Sequence, residues 1–210
     1  DSASGDGGSL NNWSLQICSS PTTPPTCGQL TTVWNGTSWS NGKPSDNVAT
    51  TINGNYNINE NIKMCSLDII GTSQVTVSSG KNLEITNGVN IATNANLTIE
   101  NNANLIQVNN TVNTGNAVVR RNSNPLMRLD YTIWSSPIVS AQTLKNFSPS
   151  TLNNRFYSYN TDTNVYYTID PLSQLFETGN GYLIRMPDNH PTTATIWNGE
   201  FNGGVLNNGT

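Results

Sequence analysis

Charge is scarce in this sequence. Only 10% of its 210 residues are Asp, Glu, Lys or Arg, against a usual quarter. The net charge of −4 and pI near 4.8 argue against a nucleic-acid partner, which asks for a basic face. Arg120, Arg121 and Arg128 form the one basic cluster and read as a solvated edge. No run of 18 apolar residues occurs, so no membrane insertion through a helix is expected. No ten-residue segment carries a helical apolar period, which leaves a nearly all-β chain. Histidine occurs once, as His190, in the turn-rich loop Pro187-Asp-Asn-His-Pro191, where an exposed polar role is expected. Asp188 lies two residues away, but there is no G-x-S-x-G elbow to supply a nucleophile. The motifs H-E-x-x-H, C-x-x-C and the phosphate loop are likewise missing. Of three cysteines, Cys18 and Cys27 flank a Ser/Pro/Thr loop that a disulfide would close in an oxidising compartment. A metal pair is the other reading, without a second Cys or His pair to complete it. Cys65 reads as a small buried hydrophobe.

What the chain does have is asparagine, about one residue in six, and a ladder of short apolar pairs. Leu67/Ile69, Val75/Val77, Leu83/Ile85, Val89/Ile91, Leu97/Ile99 and Leu105 with Ile106/Val108 follow at steps of 8, 8, 6, 8 and 8 residues. The pattern closes every 22, so Leu67 maps to Val89, Val75 to Leu97 and Leu83 to Leu105. A fixed period of this kind signals a solenoid. Each L-x-I unit is a strand with both apolar side chains on one face, and the Gly, Ser and Asn between units form turns. Three strands and three turns per rung predict a short parallel β-helix, right-handed by the rule for parallel crossovers. Asn82 with Asn104, and Asn87 with Asn109, fall at corresponding positions and are expected to stack their amides.

Four regions follow. Residues 1–18 contain an alternating strand. Residues 19–31 are a Pro/Thr/Ser linker. Residues 32–123 hold the β-helix behind a Trp-rich start, and residues 124–210 lose the period. In the last region Arg155 to Ile169 reads as an aromatic hairpin around Thr161-Asp-Thr-Asn164. Gly181–Met186 and Ala194–Phe201 are further strands of an antiparallel sheet or sandwich. The polar start at Asp1 and the final Leu-Asn-Asn-Gly-Thr lead us to expect a parent polypeptide that continues beyond both ends.

Two resemblances add to this. Gly5-Asp6-Gly7-Gly8-Ser9-Leu10-Asn11-Asn12-Trp13-Ser14-Leu15 resembles the closing pattern of the proprotein-convertase P domain, a jelly-roll sandwich. That implies a preceding module, with Asp1 and Asp6 as calcium-ligand candidates of that neighbour; a Gly-rich linker before a strand is the alternative. Asp1-Ser2-Ala3 is similar to an O-glycosylation acceptor of Bacteroidetes. The run Trp34-Asn-Gly-Thr-Ser-Trp39-Ser-Asn-Gly-Lys-Pro44, then Asp46-Asn-Val48, the ladder, Leu126-Met-Arg-Leu-Asp-Tyr-Thr-Ile-Trp134-Ser-Ser-Pro137, Arg155-Phe-Tyr-Ser-Tyr-Asn160 and Gly179-Asn-Gly-Tyr-Leu-Ile-Arg-Met-Pro187 resemble a β-helix module of secreted Bacteroidetes surface and adhesin-like proteins. The resemblance spans residues 32–210. It implies an extracellular or cell-surface location and export by type IX secretion machinery. No cofactor is expected beyond the calcium that Asp1 and Asp6 would suit.

Chemistry on a parallel β-helix needs acids stacked on successive rungs. Asp68, Glu84 and Glu100 fall on different sides of the 22-residue frame, so a polysaccharide lyase is disfavoured and no catalytic residue is assigned. Trp34 and Trp39, with Asn-Gly turns behind them, suit either a hydrophobic cap on the open solenoid end or a sugar-stacking platform. The glycan-binding candidates are Trp34, Trp39, Tyr56 and Trp134, with Tyr157, Tyr159, Tyr166, Tyr167 and Tyr182 as a wider aromatic set. The expected function is a non-catalytic adhesive or display scaffold of a large secreted protein. The alternative is a carbohydrate-binding accessory module of a secreted enzyme.

Overall fold

The computed structural model describes residues 26–208. Asp1, Asp6, Cys18 and the segment similar to a P domain lie outside the described residues. The chain is all-β, with a β-helix-like solenoid of about four turns followed by antiparallel strands.

The solenoid has three faces. Thr31–Trp34 (β1), Ala49–Ile52 (β2), Ser66–Ile69 (β5) and Val89–Ile91 (β8) form the first. Ile62–Met64 (β4), Asn82–Ile85 (β7) and Asn104–Gln107 (β10) form the second. Tyr56–Ile58 (β3), Gln74–Val77 (β6), Asn96–Ile99 (β9) and Ala117–Asn122 (β11) form the third. All these pairings are parallel, and they set Leu67 opposite Val89, Val75 opposite Leu97, and Leu83 opposite Leu105. Those are the partners the apolar pattern demands. The interval is not uniform, however: Ala49 pairs with Ser66, and Leu97 with Ala117, at shorter spacings.

Alternation puts both apolar members of each pair inside, and Leu67, Ile69, Val77, Leu83, Ile85, Val89 and Leu97 are fully buried. Each such side chain contributes about 1.5–3 kcal/mol of burial. At the turns, Asn104 Nδ2 donates to Asn82 Oδ1 and Asn109 Nδ2 to Asn87 Oδ1, both at 2.9 Å. Other asparagines cap backbone donors: Asn61 Oδ1 accepts from Asn82 N–H at 3.0 Å and Asn113 Oδ1 from Val89 N–H at 2.9 Å. The expected amide stacks are therefore present, and they answer the hydrogen-bond demand of tight turns. Gly115 shows how tight: its φ is +82° and a Cβ there would sit 2.0 Å from the Ile91 carbonyl oxygen.

The last apolar unit departs from expectation. Leu105 turns inward, but Ile106 and Val108 are exposed, because strand alternation in β10 assigns the second inward place to Gln107, opposite Ile85. Gln107 meets its polar demand there by donating to Thr111 O at 2.7 Å and accepting from Asn113 Nδ2 at 2.8 Å.

Tyr131–Trp134 (β12), Ile138–Ser140 (β13), a short helix Leu144–Phe147 (α1), Phe156–Asn160 (β14), Val165–Thr168 (β15), Tyr182–Arg185 (β16) and Asn198–Leu206 (β17) complete the chain. The final strand lies later than the Ala194–Phe201 expected from sequence. It runs antiparallel to both β11 and β13, so the third solenoid face continues into the second region as one six-stranded sheet. A separate antiparallel sheet, β12-β16-β14-β15, packs its inner face on this extension. The junction is aromatic: Trp134, Phe147, Trp197 and Phe201 meet with ring centroids 4.6–6.3 Å apart.

The cysteine pairing is corrected. Cys27 is joined to Cys65 across 38 residues, with Cα atoms 5.5 Å apart, so Cys27 is not the partner of Cys18 and Cys65 is not a free thiol. Stacking explains it. Gly28 N–H donates to Asn47 O at 2.9 Å, and Cys65 N–H to Val48 O at 3.0 Å, so successive coils bring both cysteines to one turn. Asn87 on the next coil sets its Nδ2 3.4 Å from each sulfur. Replacing the pair (C27S/C65S) is expected to cost about 2–4 kcal/mol in denaturant unfolding, with the β signature kept at 25 °C. An unchanged midpoint would show that the bridge does not staple the first turns.

Candidate functional site

At the solenoid's first turns Trp34, Trp39 and Tyr56 come together as the sequence suggested. Their ring centroids lie 5.4, 4.8 and 5.2 Å apart, with planes inclined at 53°, 55° and 81°. A stacking platform needs coplanar exposed faces, and these rings instead turn their faces and edges on one another. Each is half-buried against the solenoid core, and Trp34 Nε1–H donates to Asn55 O at 2.9 Å. The arrangement is that of a cap.

Trp134 does not join them. It lies in β12 on the inner face of the antiparallel sheet, 7% exposed, amid the junction aromatics. Tyr182 is buried beside Phe176 in the same core. Neither ring is open to a sugar.

The solenoid's acids are occupied one by one. Glu84 bonds Lys63 at 2.9 Å, Glu100 bonds Arg120 at 2.7 Å, and Asp68 accepts from Asn90 Nδ2 at 2.8 Å. Arg120 also reaches Glu200 at 3.0 Å, while Arg121 donates to the Glu100 and Ala103 carbonyls, each at 3.1 Å. These arginines thus clamp adjacent coils. Among the described residues no three His, Cys, Asp or Glu groups gather to hold a metal. A shallow cleft of about 410 Å³ contains Lys43, Asp46, Glu60 and Lys63, yet Lys43 is bonded to Glu60, and Lys63 to Glu84 as above. His190 is buried, not exposed: at 7% accessibility its Nε2 lies 2.9 Å from Leu126 O and 3.2 Å from Thr195 O. With two carbonyl acceptors facing it, that nitrogen carries the proton and ties the loop to the strands.

The outer face of the antiparallel sheet is different. Residues opposite one another in an antiparallel pair share a face. Ile133, Leu183, Tyr157 and Thr168 therefore form one row across the four strands, flanked by Tyr131 with Arg185 on one side and Tyr159 with Tyr166 on the other. The opposite face, with Trp134, Ile184 and Phe156, supplies the core. No other part of the described chain covers the outward row fully: Ile133 is 58%, Tyr159 42% and Tyr166 48% exposed. Tyr159 and Tyr166 rings lie 5.0 Å apart, and Tyr131 and Tyr157 rings 5.9 Å apart. Burial raises the Tyr131 pKa above its ordinary value, and a hydrogen bond to Tyr157 adds to this, while Arg155 and Arg185 pull it down. Arg185 is the register partner of Tyr131, and Arg155 lies two residues before Tyr157.

The sequence reading named Tyr157, Tyr159 and Tyr166 but passed over Tyr131, Ile133, Leu183, Arg155 and Arg185. The signal was the alternation Tyr131-Thr-Ile133-Trp134 and Phe156-Tyr157-Ser-Tyr159, which assigns one set to each face. Assembling the row also needed the order β12-β16-β14-β15, in which β12 is far from its neighbours in sequence.

If the Trp trio is a cap, Trp39→Ala lowers stability by about 3 kcal/mol, read by thermal or denaturant unfolding, and changes no glycan affinity of the folded protein. Loss of glycan binding at unchanged stability would restore the platform.

No curated protein and no solved structure matches the chain significantly. Residues 27–210 match the model of the family described as Domain of unknown function (DUF8693), and the chain belongs to that family.

Proposed function

We propose that this chain is a non-catalytic display scaffold of an exported surface protein, and that its adhesive surface is the outer face of the β12-β16-β14-β15 sheet. The observation that carries the reading is the exposed row of Ile133, Tyr159 and Tyr166 on a sheet whose other face is locked into the core. Exposed aromatic and aliphatic side chains held together on rigid strands mark interaction surfaces. Tyrosine suits a glycan in particular, since its ring packs on the apolar side of a sugar while its hydroxyl hydrogen-bonds.

Location is part of the proposal. The Cys27–Cys65 bridge fits an oxidising, extracellular setting, in keeping with the resemblance to type IX secretion cargo. The scaffold behind the face is a right-handed solenoid built on a 22-residue rung; amide contacts between residues 22 apart, Asn104 with Asn82 and Asn109 with Asn87, support that unit. An accessory carbohydrate-binding role beside an enzyme in the parent uses the same face and differs only in what is attached to it.

A glycan array probed with the wild type and with the Tyr159→Ala/Tyr166→Ala double variant tests the reading. Both side chains are substantially exposed, so the variant should fold normally by circular dichroism. Binding is expected in the wild type and should weaken at least tenfold in the variant. Absence of glycan binding, or binding indifferent to the two substitutions, overturns the adhesive face.

A further inference from the structure

We infer that the tyrosine face is a binding site for an acidic oligosaccharide, one carrying uronate carboxylates, with Arg155 as its anion-recognising residue. This rests on the adhesive reading above and adds the chemical class of the ligand.

The argument begins with where the chain's few cations go. Nine Lys and Arg residues are present in all. Lys43, Lys63 and Arg120 are held by carboxylates. Arg121 and Lys145 are held by backbone carbonyls, the latter by Thr151 O at 2.6 Å. Among the described residues Arg155 has neither kind of partner; it is half-exposed, two residues before Tyr157. Arg185 gives one hydrogen bond, from Nη2 to Asp188 Oδ1 at 3.0 Å, and is only 6% exposed. Of the other two cations, Lys81 lies in the turn before β7 and Arg128 in the turn before β12. A guanidinium offers five N–H donors. In a chain that uses its charges so sparingly, a half-exposed guanidinium with no carboxylate partner among the described residues, at the end of an aromatic row, suits an anionic partner.

Geometry extends the case. Arg185 stands opposite Tyr131, and Arg155 immediately precedes the strand that carries Tyr157 and Tyr159. From Arg155 to Tyr159 the strand spans roughly 13 Å, so one short oligosaccharide can lie over the Tyr159–Tyr166 pair and place a carboxylate at Arg155. A carboxylate matches the planar fork of arginine in two parallel hydrogen bonds. The acids nearest in sequence to this face are accounted for: Asp188 holds Arg185, Asp130 accepts from Met127 N–H at 2.7 Å, Asp170 accepts from Leu172 N–H at 3.1 Å and from the Ser173 hydroxyl at 2.8 Å, and Asp162 lies in the hairpin turn beyond Asn160.

A matched pair of probes separates charge from shape: a homogalacturonan hexamer with free carboxylates, and the same hexamer fully methyl-esterified. Titration calorimetry should show the free acid binding at least tenfold more tightly than the ester. Arg155→Gln should abolish that difference, leaving ester binding unchanged. Tyr159→Ala/Tyr166→Ala should weaken both. Raising salt should weaken only the acid. Equal affinity for acid and ester, or an acid affinity untouched by Arg155→Gln, overturns the anionic site while leaving a neutral adhesive face. If neither hexamer binds although the array shows Tyr159-dependent binding of another glycan, the uronate inference falls alone. If the tyrosine substitutions change nothing in either assay, the adhesive reading falls with it.

Discussion

Parallel stacking in register is the constraint from which the rest of this structure follows. Each inward Leu, Ile or Val gains its burial only when the coil before and the coil after present a matching side chain, as Leu67 does for Val89 and Val75 for Leu97. A slip by one residue would turn a whole strand inside out. The turns must therefore return the chain to the same place on each pass, and the asparagine contacts do this without charge. An amide both donates and accepts, so a column of amides can extend along the axis where a column of carboxylates would repel itself. The shortage of charge and the abundance of Asn are two sides of one requirement.

A stack of coils also has ends, and the ends decide what the protein can present. At the first turns the Trp34, Trp39 and Tyr56 rings close over the core, and the Cys27–Cys65 bridge ties the entering chain to the coil that follows. At the other end the solution is unequal. The third face continues through β11 into the antiparallel β17, while the first and second faces stop at β8 and β10. That inequality leaves β10 as the last strand of the second face. On the third it supplies the Phe201 surface on which the aromatic junction is built.

Much of the solenoid was legible because it depends on local repetition. The L-x-I pairs, their stacking partners and the Asn82–Asn104 and Asn87–Asn109 contacts all follow from period and alternation. Where the repeat lapsed, reading became harder for physical reasons. Gln107 is polar and so was not credited with an inward place, though parity in β10 requires it once Leu105 is inside. Cys27 lies outside the repeat, and nothing in its neighbourhood shows that the chain passes the turn carrying Cys65; loop length alone favoured Cys18. Trp134 was offered as a sugar ligand because aromatic identity says nothing of which sheet face is covered. His190, in a loop of Pro, Asn and Thr, looked solvent-borne, and only the approach of Leu126 and Thr195 carbonyls buries it.

The outer sheet face brings these strands of argument together. Its strands are held from behind by Phe156, Ile184, Tyr182 and Trp134, all buried, and β16 pairs with β12 over four residues and with β14 over two. Side chains on such a surface lose little further freedom when a partner arrives, which is the cost that most limits binding by exposed loops. Tyrosine compounds the advantage, since its large contact area carries few rotatable bonds. The solenoid, by contrast, pairs its acids with neighbouring bases and amides and turns its aliphatic pairs inward. A chain with so few charges and so much of its apolar surface committed to stacking has little left over for recognition. On this face exposed tyrosines and the half-exposed Arg155 occur side by side.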